Sequence, residues 1–191
     1  MQKTVKKRYL IFIPVVMALA IGIFFLYAFH QQPVNVKSPK AENGVIDLSN
    51  WNFHRDGSIN LNGEWEFYWQ QLIGVRDFDH KQLTPDALVH VPGIWNKYTV
   101  NEQRCPEFGY ASYVLTVKNA GNQELAIRIP NLSTSYRLYV NDVLLASDGQ
   151  TGTDAASSSP SWHLRTAIFH PPAGVFRIII QVSNFTYLQG G

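Results

Sequence analysis

Aromatic and hydrogen-bonding side chains gather in the turn-rich parts of this chain. Trp95 and Tyr98 follow Pro92-Gly93, Tyr110 follows Gly109, Trp162, His163 and Arg165 follow the Ser-rich residues 157–161, and Asn184 lies near the C-terminal end. Rings flanked by polar groups suit recognition of a sugar or another small molecule. The C–H face of a pyranose packs on an aromatic face, while Arg and Asn take its hydroxyls. Trp95, Tyr98, Tyr110, Trp162, Arg165 and Asn184 therefore form the candidate ligand-binding set. A competing account exists for each: Trp95 also suits sealing a core, and Asn184 also suits capping a turn through its own backbone.

Catalytic patterns are missing from the sequence. There is no phosphate-cradling Gly loop, HExxH pair, GxSxG elbow or CxxC. The six histidines (His30, His54, His80, His90, His163 and His170) have no ligand spacing, so no metal is expected. Glu64 and Glu66 share one face of a candidate strand, about 7 Å apart at about 3.4 Å per residue, within the range glycosidases use for paired carboxylates. A solvated strand face is the simpler account of them. The oxygen-rich loop from Asp148 to Asp154 invites calcium but lacks the spacing of a dedicated calcium loop. The expectation is no catalytic residue and no cofactor, hence no enzyme in this chain. Its single cysteine, Cys105, can form no internal disulfide and reads as a small, partly buried side chain.

Positioning such residues requires a scaffold, and the chain has two unlike parts. From Leu10 to Phe29 runs an uncharged stretch of 20 residues, enough at about 1.5 Å per residue to span a hydrocarbon core of about 30 Å. Lys3, Lys6, Lys7 and Arg8 precede it, which keeps residues 1–9 cytoplasmic and exports the rest. A signal peptide is the rival, but the run exceeds a typical signal core, and Phe29 and His30 stand where small residues would be needed for cleavage. Residues 30–44, with Pro33, Pro39 and Gly44, read as a flexible stalk. The formal charge of +2 comes from that basic end. Without its four cations, 12 basic face 14 acidic residues, and no polyanion-binding surface is implied, so nucleic acid is not an expected partner.

Residues 45–191 read as one domain, and from Trp65 its sequence alternates with period two in segment after segment, the mark of half-buried strands. Trp65, Phe67 and Trp69 share one face; Tyr113, Leu115 and Val117, then Leu125, Ile127 and Ile129, then Phe176, Ile178, Ile180 and Val182 repeat the pattern. These sets should form the core. Strands at 136–140 and 143–146, separated only by Asn141-Asp142, predict a tight hairpin with a type I′ turn. Shorter strands are expected at 88–91 and 166–169, and a helical turn at 70–75. Seven or eight strands at such spacings make an all-β, jelly-roll-like sandwich preceded by one transmembrane helix.

The ordered motifs are more specific together than singly. Residues 61–69 (Leu61-Asn62-Gly63-Glu64-Trp65 onward), Val91-Pro92-Gly93-Ile94-Trp95, Gly109-Tyr110-Ala111-Ser112-Tyr113, residues 129–141 and Gln181-Val182-Ser183-Asn184-Phe185 with the closing Gly190-Gly191 resemble the extracellular jelly-roll region of bacterial membrane sensors. Those are seven-transmembrane receptors with diverse intracellular signalling modules and related sensor histidine kinases and diguanylate cyclases. More distantly, the same order is similar to the sugar-binding jelly roll of family-two glycoside hydrolases, whose catalytic carboxylates sit in a separate barrel. The resemblance implies a galactose-binding-like fold and an extracytoplasmic input domain for a small-molecule or carbohydrate ligand, held at the cell membrane and compatible with a homodimer. It also implies further segments beyond Gly191, so the chain reads as a fragment without its output module. The alternatives are a non-catalytic sugar-binding domain of a glycoside hydrolase and a structural adhesion module.

Overall fold

A computed structural model describes residues 14, 16–26, 37–80, 82–118, 121–130 and 132–191. The chain divides into two units between Lys37 and Ser38. In the first, residues 16–26 are helical and exposed. Among the described residues no helix is long and apolar enough to cross a membrane. The expected span from Leu10 to Phe29 lies partly outside the described residues, as do residues 1–9 and 30–36.

The second unit is built on strands β1 (Val45–Asp47), β2 (Gly63–Trp69), β3 (Ala87–Val91), β4 (Thr99–Val100), β5 (Gln103–Arg104), β6 (Gly109–Lys118), β7 (Leu125–Ile129), β8 (Ser135–Val140), β9 (Val143–Asp148), β10 (Arg165–Phe169) and β11 (Val175–Asn184). The main sheet runs β3-β2-β6-β11-β8-β9, and β1 pairs with β6 in parallel. β2 takes the first half of the same β6 edge, through Trp69 opposite Ala111, and β1 takes the last residues, through Ile46 opposite Val117. A second sheet of two strands, β7 and β10, pairs Arg165 with Ile129 and Phe169 with Leu125.

The core lies where alternation puts it. Trp65, Phe67, Tyr113, Leu115, Val117, Ile129, Phe176, Ile178 and Val182 are buried in one cluster, with Trp69, Leu125, Ile127 and Ile180 packed against it. Each set contributes every second residue, because strand side chains alternate between faces. The other face of the main sheet is not the solvated face that Glu64 and Glu66 suggest: Tyr68, Ile73, Val114 and Ile179 make a second small core, with Phe78 and Leu83 against it. Residues 70–80 fold back to cover it, fixed where Ser112 Oγ accepts from Ile73 N and donates to Gln71 O, both at 2.8 Å.

Local departures from expectation have local causes. The helical turn predicted at 70–75 falls instead at α2 (Val75–His80). A short helix α1 (Phe53–Asp56) appears unannounced, capped by Asn52, whose side chain accepts from His54 N and Arg55 N while Asp56 Oδ2 accepts from Asn52 N. The β8–β9 hairpin is present, with Val140 opposite Val143, but its turn is not type I′. Only Asn141 (φ 49°) of the two turn residues takes positive φ, and type I′ needs both. Asn141 is instead drawn onto β11, its N–H donating to Arg177 O and its Oδ1 accepting from Arg177 N. The second unit also begins ahead of the expected boundary at residue 45. Ala41 is buried and exchanges hydrogen bonds with Asn62 O and Glu64 N, and Gly44 N donates to Glu64 O.

Candidate functional site

The register puts Tyr110 and Asn184 at one end of the main sheet; Trp95 reaches that end through Trp69, Trp162 and Arg165 lie by Asp148 there, and Tyr98 reaches back to His90 O, opposite Glu64. At that end Trp69 faces Ala111, Gly109 faces Asn184, Ser183 faces Ser135 and Tyr136 faces Asp148. They do not form one pocket. From β6 to β9 is three strand spacings, about 14 Å, and the six residues divide into three environments along that line.

Over β2 and β6, Trp95 is fully buried, its ring inclined at 69° to Trp69 with centroids 5.4 Å apart. Its Nε1 donates to Pro106 O (2.9 Å) and Glu107 O (3.2 Å), and its backbone N–H donates to Gly191 O. Gly190 (φ 85°) and Gly191 lie against the indole, where a Cβ would crowd the ring. Asn184 is also fully buried: its Nδ2 donates to Glu107 O (3.1 Å) and Tyr187 O (2.6 Å), and its Oδ1 accepts from Tyr187 N (2.9 Å) and Thr186 N (3.3 Å). Tyr98 stands edge-on to Phe67 at 5.5 Å and donates to His90 O, and burial pushes its hydroxyl up to about 12. Trp95 and Asn184 thus meet at one carbonyl, Glu107 O, but neither presents a face to solvent. As binding residues they are displaced by a physical fact, since their side-chain polar atoms are already bonded to residues 106–107 and 186–187. The cleft of about 340 Å³ beside them is lined by Asn96, Arg104, Cys105, Pro106 and Glu107, and includes none of the six. Cys105 is buried there, which raises its thiol. Tyr110, three residues from the core-facing Tyr113, belongs to the opposite face of β6.

Trp162 and Arg165 lie together at the far side, around a residue the sequence singled out only for calcium. Asp148 closes β9 with only 5% of its surface exposed. Its Oδ1 accepts from Ser161 Oγ (3.0 Å) and Arg165 Nη2 (3.2 Å) and lies 3.0 Å from His163 Nδ1, while its Oδ2 accepts from His163 N (2.7 Å). Burial pushes this carboxyl upward, but the bonds from His163, Ser161 and Arg165 outweigh it and hold the group at about 2. Tyr136 OH, buried close by, has no hydrogen-bond partner among the described residues. Trp162 itself is 55% exposed.

Ser161, His163 and Asp148 are the residue types of a hydrolytic relay, but their geometry is wrong for one. Ser161 Oγ and Asp148 Oδ1 both contact His163 Nδ1, each at 3.0 Å. A relay puts the carboxylate on one ring nitrogen and the nucleophile on the other. The Asp148–Asp154 loop likewise has its carboxylates in use, Asp154 accepting from Ser157 N and Ser157 Oγ. Among the described residues no group of three or more His, Cys, Asp or Glu side chains is placed to hold a metal ion. Glu64 and Glu66 are engaged structurally, Glu64 Oε2 accepting from Asn43 N and Glu66 Oε2 from Tyr68 OH.

No protein-family model matches this chain, and no curated protein matches it. Among solved structures it is similar to a Faecalibacterium prausnitzii β-glucuronidase, with a TM-score of 0.51 and 14% identity over 68% of this chain and 21% of that one. An uncultured Clostridium sp. β-glucuronidase gives a TM-score of 0.48 and 18% identity over 66% of this chain and 22% of the other. A GH2 β-galacturonidase from Eisenbergiella tayi gives 0.42 and 16% over 65% and 18%. The chain spans about a fifth of the length of these enzymes. At this identity the first likeness shows the fold, a mostly antiparallel β-sandwich. It agrees at that level with the distant resemblance to family-two glycoside hydrolases, and none of the three carries the resemblance to membrane sensors.

Proposed function

We propose that residues 38–191 are a non-catalytic, carbohydrate-binding-like β-sandwich module. The observation that supports this is the fold shared with part of the Faecalibacterium prausnitzii β-glucuronidase over 68% of this chain. A shared fold does not bring an activity with it, so the reading rests on the site. Here Ser161 and Asp148, which with His163 resemble a catalytic set, both contact the same ring nitrogen, His163 Nδ1, which leaves no nucleophile on the other nitrogen. The test is a glycan array probed with the labelled full chain, together with a chromogenic β-glucuronide assay. Retention on at least one glycan without hydrolysis is the expected result; release of chromophore, or no retention anywhere, overturns the reading.

A second reading, an extracytoplasmic input domain of a membrane sensor, is favoured by the four cations ahead of the 20-residue uncharged run from Leu10 to Phe29. Protease added to spheroplasts should then remove residues 38–191 while the basic end stays protected. A mature N-terminus near residue 30 in secreted material would count against it.

A further inference from the structure

Exposed apolar side chains gather at the end of the main sheet where Gly109 faces the buried Asn184. Phe108 is 43% exposed, Tyr187 44%, and Leu188 beside it more so. The backbone that carries the two rings is nonetheless held from beneath. Asn184 Nδ2 donates to both Glu107 O and Tyr187 O, Asn184 Oδ1 accepts from Tyr187 N, and Trp95 Nε1 donates to Pro106 O and Glu107 O. Phe108 and Tyr187 therefore both leave the backbone beside Glu107. Glu107 is also one wall of the cleft of about 340 Å³ that it forms with Asn96, Arg104, Cys105 and Pro106, a volume at the small end of the range for ligand pockets. Arg104 and Glu107 are exposed. Arg104 donates through Nε to Asn96 O, but its two Nη nitrogens and the Glu107 carboxylate have no partner among the described residues. Residues 95–108 carry two cations, Lys97 and Arg104, and two anions, Glu102 and Glu107.

We propose that the cleft beside Glu107, with Phe108 and Tyr187 at its rim, is a subsite for one neutral pyranose unit of a glycan. The proposal rests on the carbohydrate-binding reading and names its site and ligand class. A guanidinium only donates hydrogen bonds and a carboxylate only accepts them. A ligand that meets Arg104 and Glu107 together must therefore do both, as sugar hydroxyls do. The balanced charge gives no advantage to an anionic or a cationic ligand. The C–H face of the pyranose packs on an exposed ring. Because residues 106–107 and 187 are already held by Trp95 and Asn184, little further ordering is needed on binding.

The full chain, kept in mild detergent, is run by affinity electrophoresis through gels containing galactan, mannan, β-glucan, polygalacturonate or no polysaccharide. At least one of the three neutral polysaccharides should retard it more than polygalacturonate does. Tyr187→Ala should weaken that retardation at least about tenfold, the scale of one lost stacking contact with its buried area, and leave the melting temperature unchanged. If Tyr187→Ala lowers the melting temperature, Glu107→Ala, which removes a carboxylate without a partner, carries the test with the same expected loss. Ile168→Ala, an exposed apolar residue on β10 outside the cleft, should change nothing. Retardation that survives both Tyr187→Ala and Glu107→Ala, that falls equally in Ile168→Ala, or that is strongest with polygalacturonate overturns the subsite and leaves the carbohydrate-binding reading standing. Retardation by none of the four overturns the subsite, and an empty glycan array overturns the carbohydrate-binding reading with it.

Discussion

Two clusters at the same end of the main sheet use similar residues to opposite ends. In one, Trp95 and Asn184 converge on Glu107 O and are sealed from solvent. In the other, Asp148 is the sealed residue, and the tryptophan beside it, Trp162, faces outward. The first cluster spends hydrogen bonds to fasten two chain segments over the core, residues 106–107 and 185–191. The second spends them to fix three residues around an exposed ring. A tryptophan followed by polar residues therefore says nothing about its role until the partners of its neighbours are known.

The comparison can be broken most forcefully at Trp95. Trp95→Ala should cost about 3–5 kcal/mol, the range for emptying a buried aromatic site, read as a fall in the urea midpoint. A loss below about 1 kcal/mol would mean the chain end does not depend on it. Next in size is Asp148→Asn. The folded carboxyl sits at about 2 against an ordinary 3.8, so its contribution, on the order of 2 kcal/mol, is fully present above about pH 4 and is lost as pH falls towards 2. The stability gap between native chain and variant should accordingly close across that window; a gap independent of pH would assign the effect to packing.

Asn184→Ala should cost about 1–3 kcal/mol, because Glu107 O, Tyr187 O and Tyr187 N lose a buried partner together. Enhanced proteolysis confined to residues 185–191 would be its signature. The smallest effect belongs to Tyr136→Phe. Tyr136 OH has no partner among the described residues, so its removal should change stability by less than about 0.5 kcal/mol or raise it slightly. A clear loss would show that this hydroxyl belongs to the Asp148 cluster.

The strand pattern was legible residue by residue. Period-two alternation in β2, β6, β7 and β11 named the core sets that the structure buries together, since a half-buried strand must separate its apolar and polar residues in sequence. The hairpin at Asn141-Asp142 was legible for the same local reason, although its turn type was not, because Arg177 on a strand 36 residues away holds Asn141. The second core under Tyr68 escaped notice, as nothing in residues 63–69 says that Ile73, Phe78 and Leu83 return to cover them.

What the sequence determined by itself, then, was the β class and the facing of most strands, properties set between near neighbours by the geometry of an extended chain. Only the tertiary structure decided which aromatic residues are available. Gly190 and Gly191, almost 100 residues on, pack against Trp95, and Trp162 lies exposed between residues that bond Asp148 on another strand. Whether a side chain is buried or offered to a ligand is a property of what packs on it, and that is fixed by contacts remote in sequence.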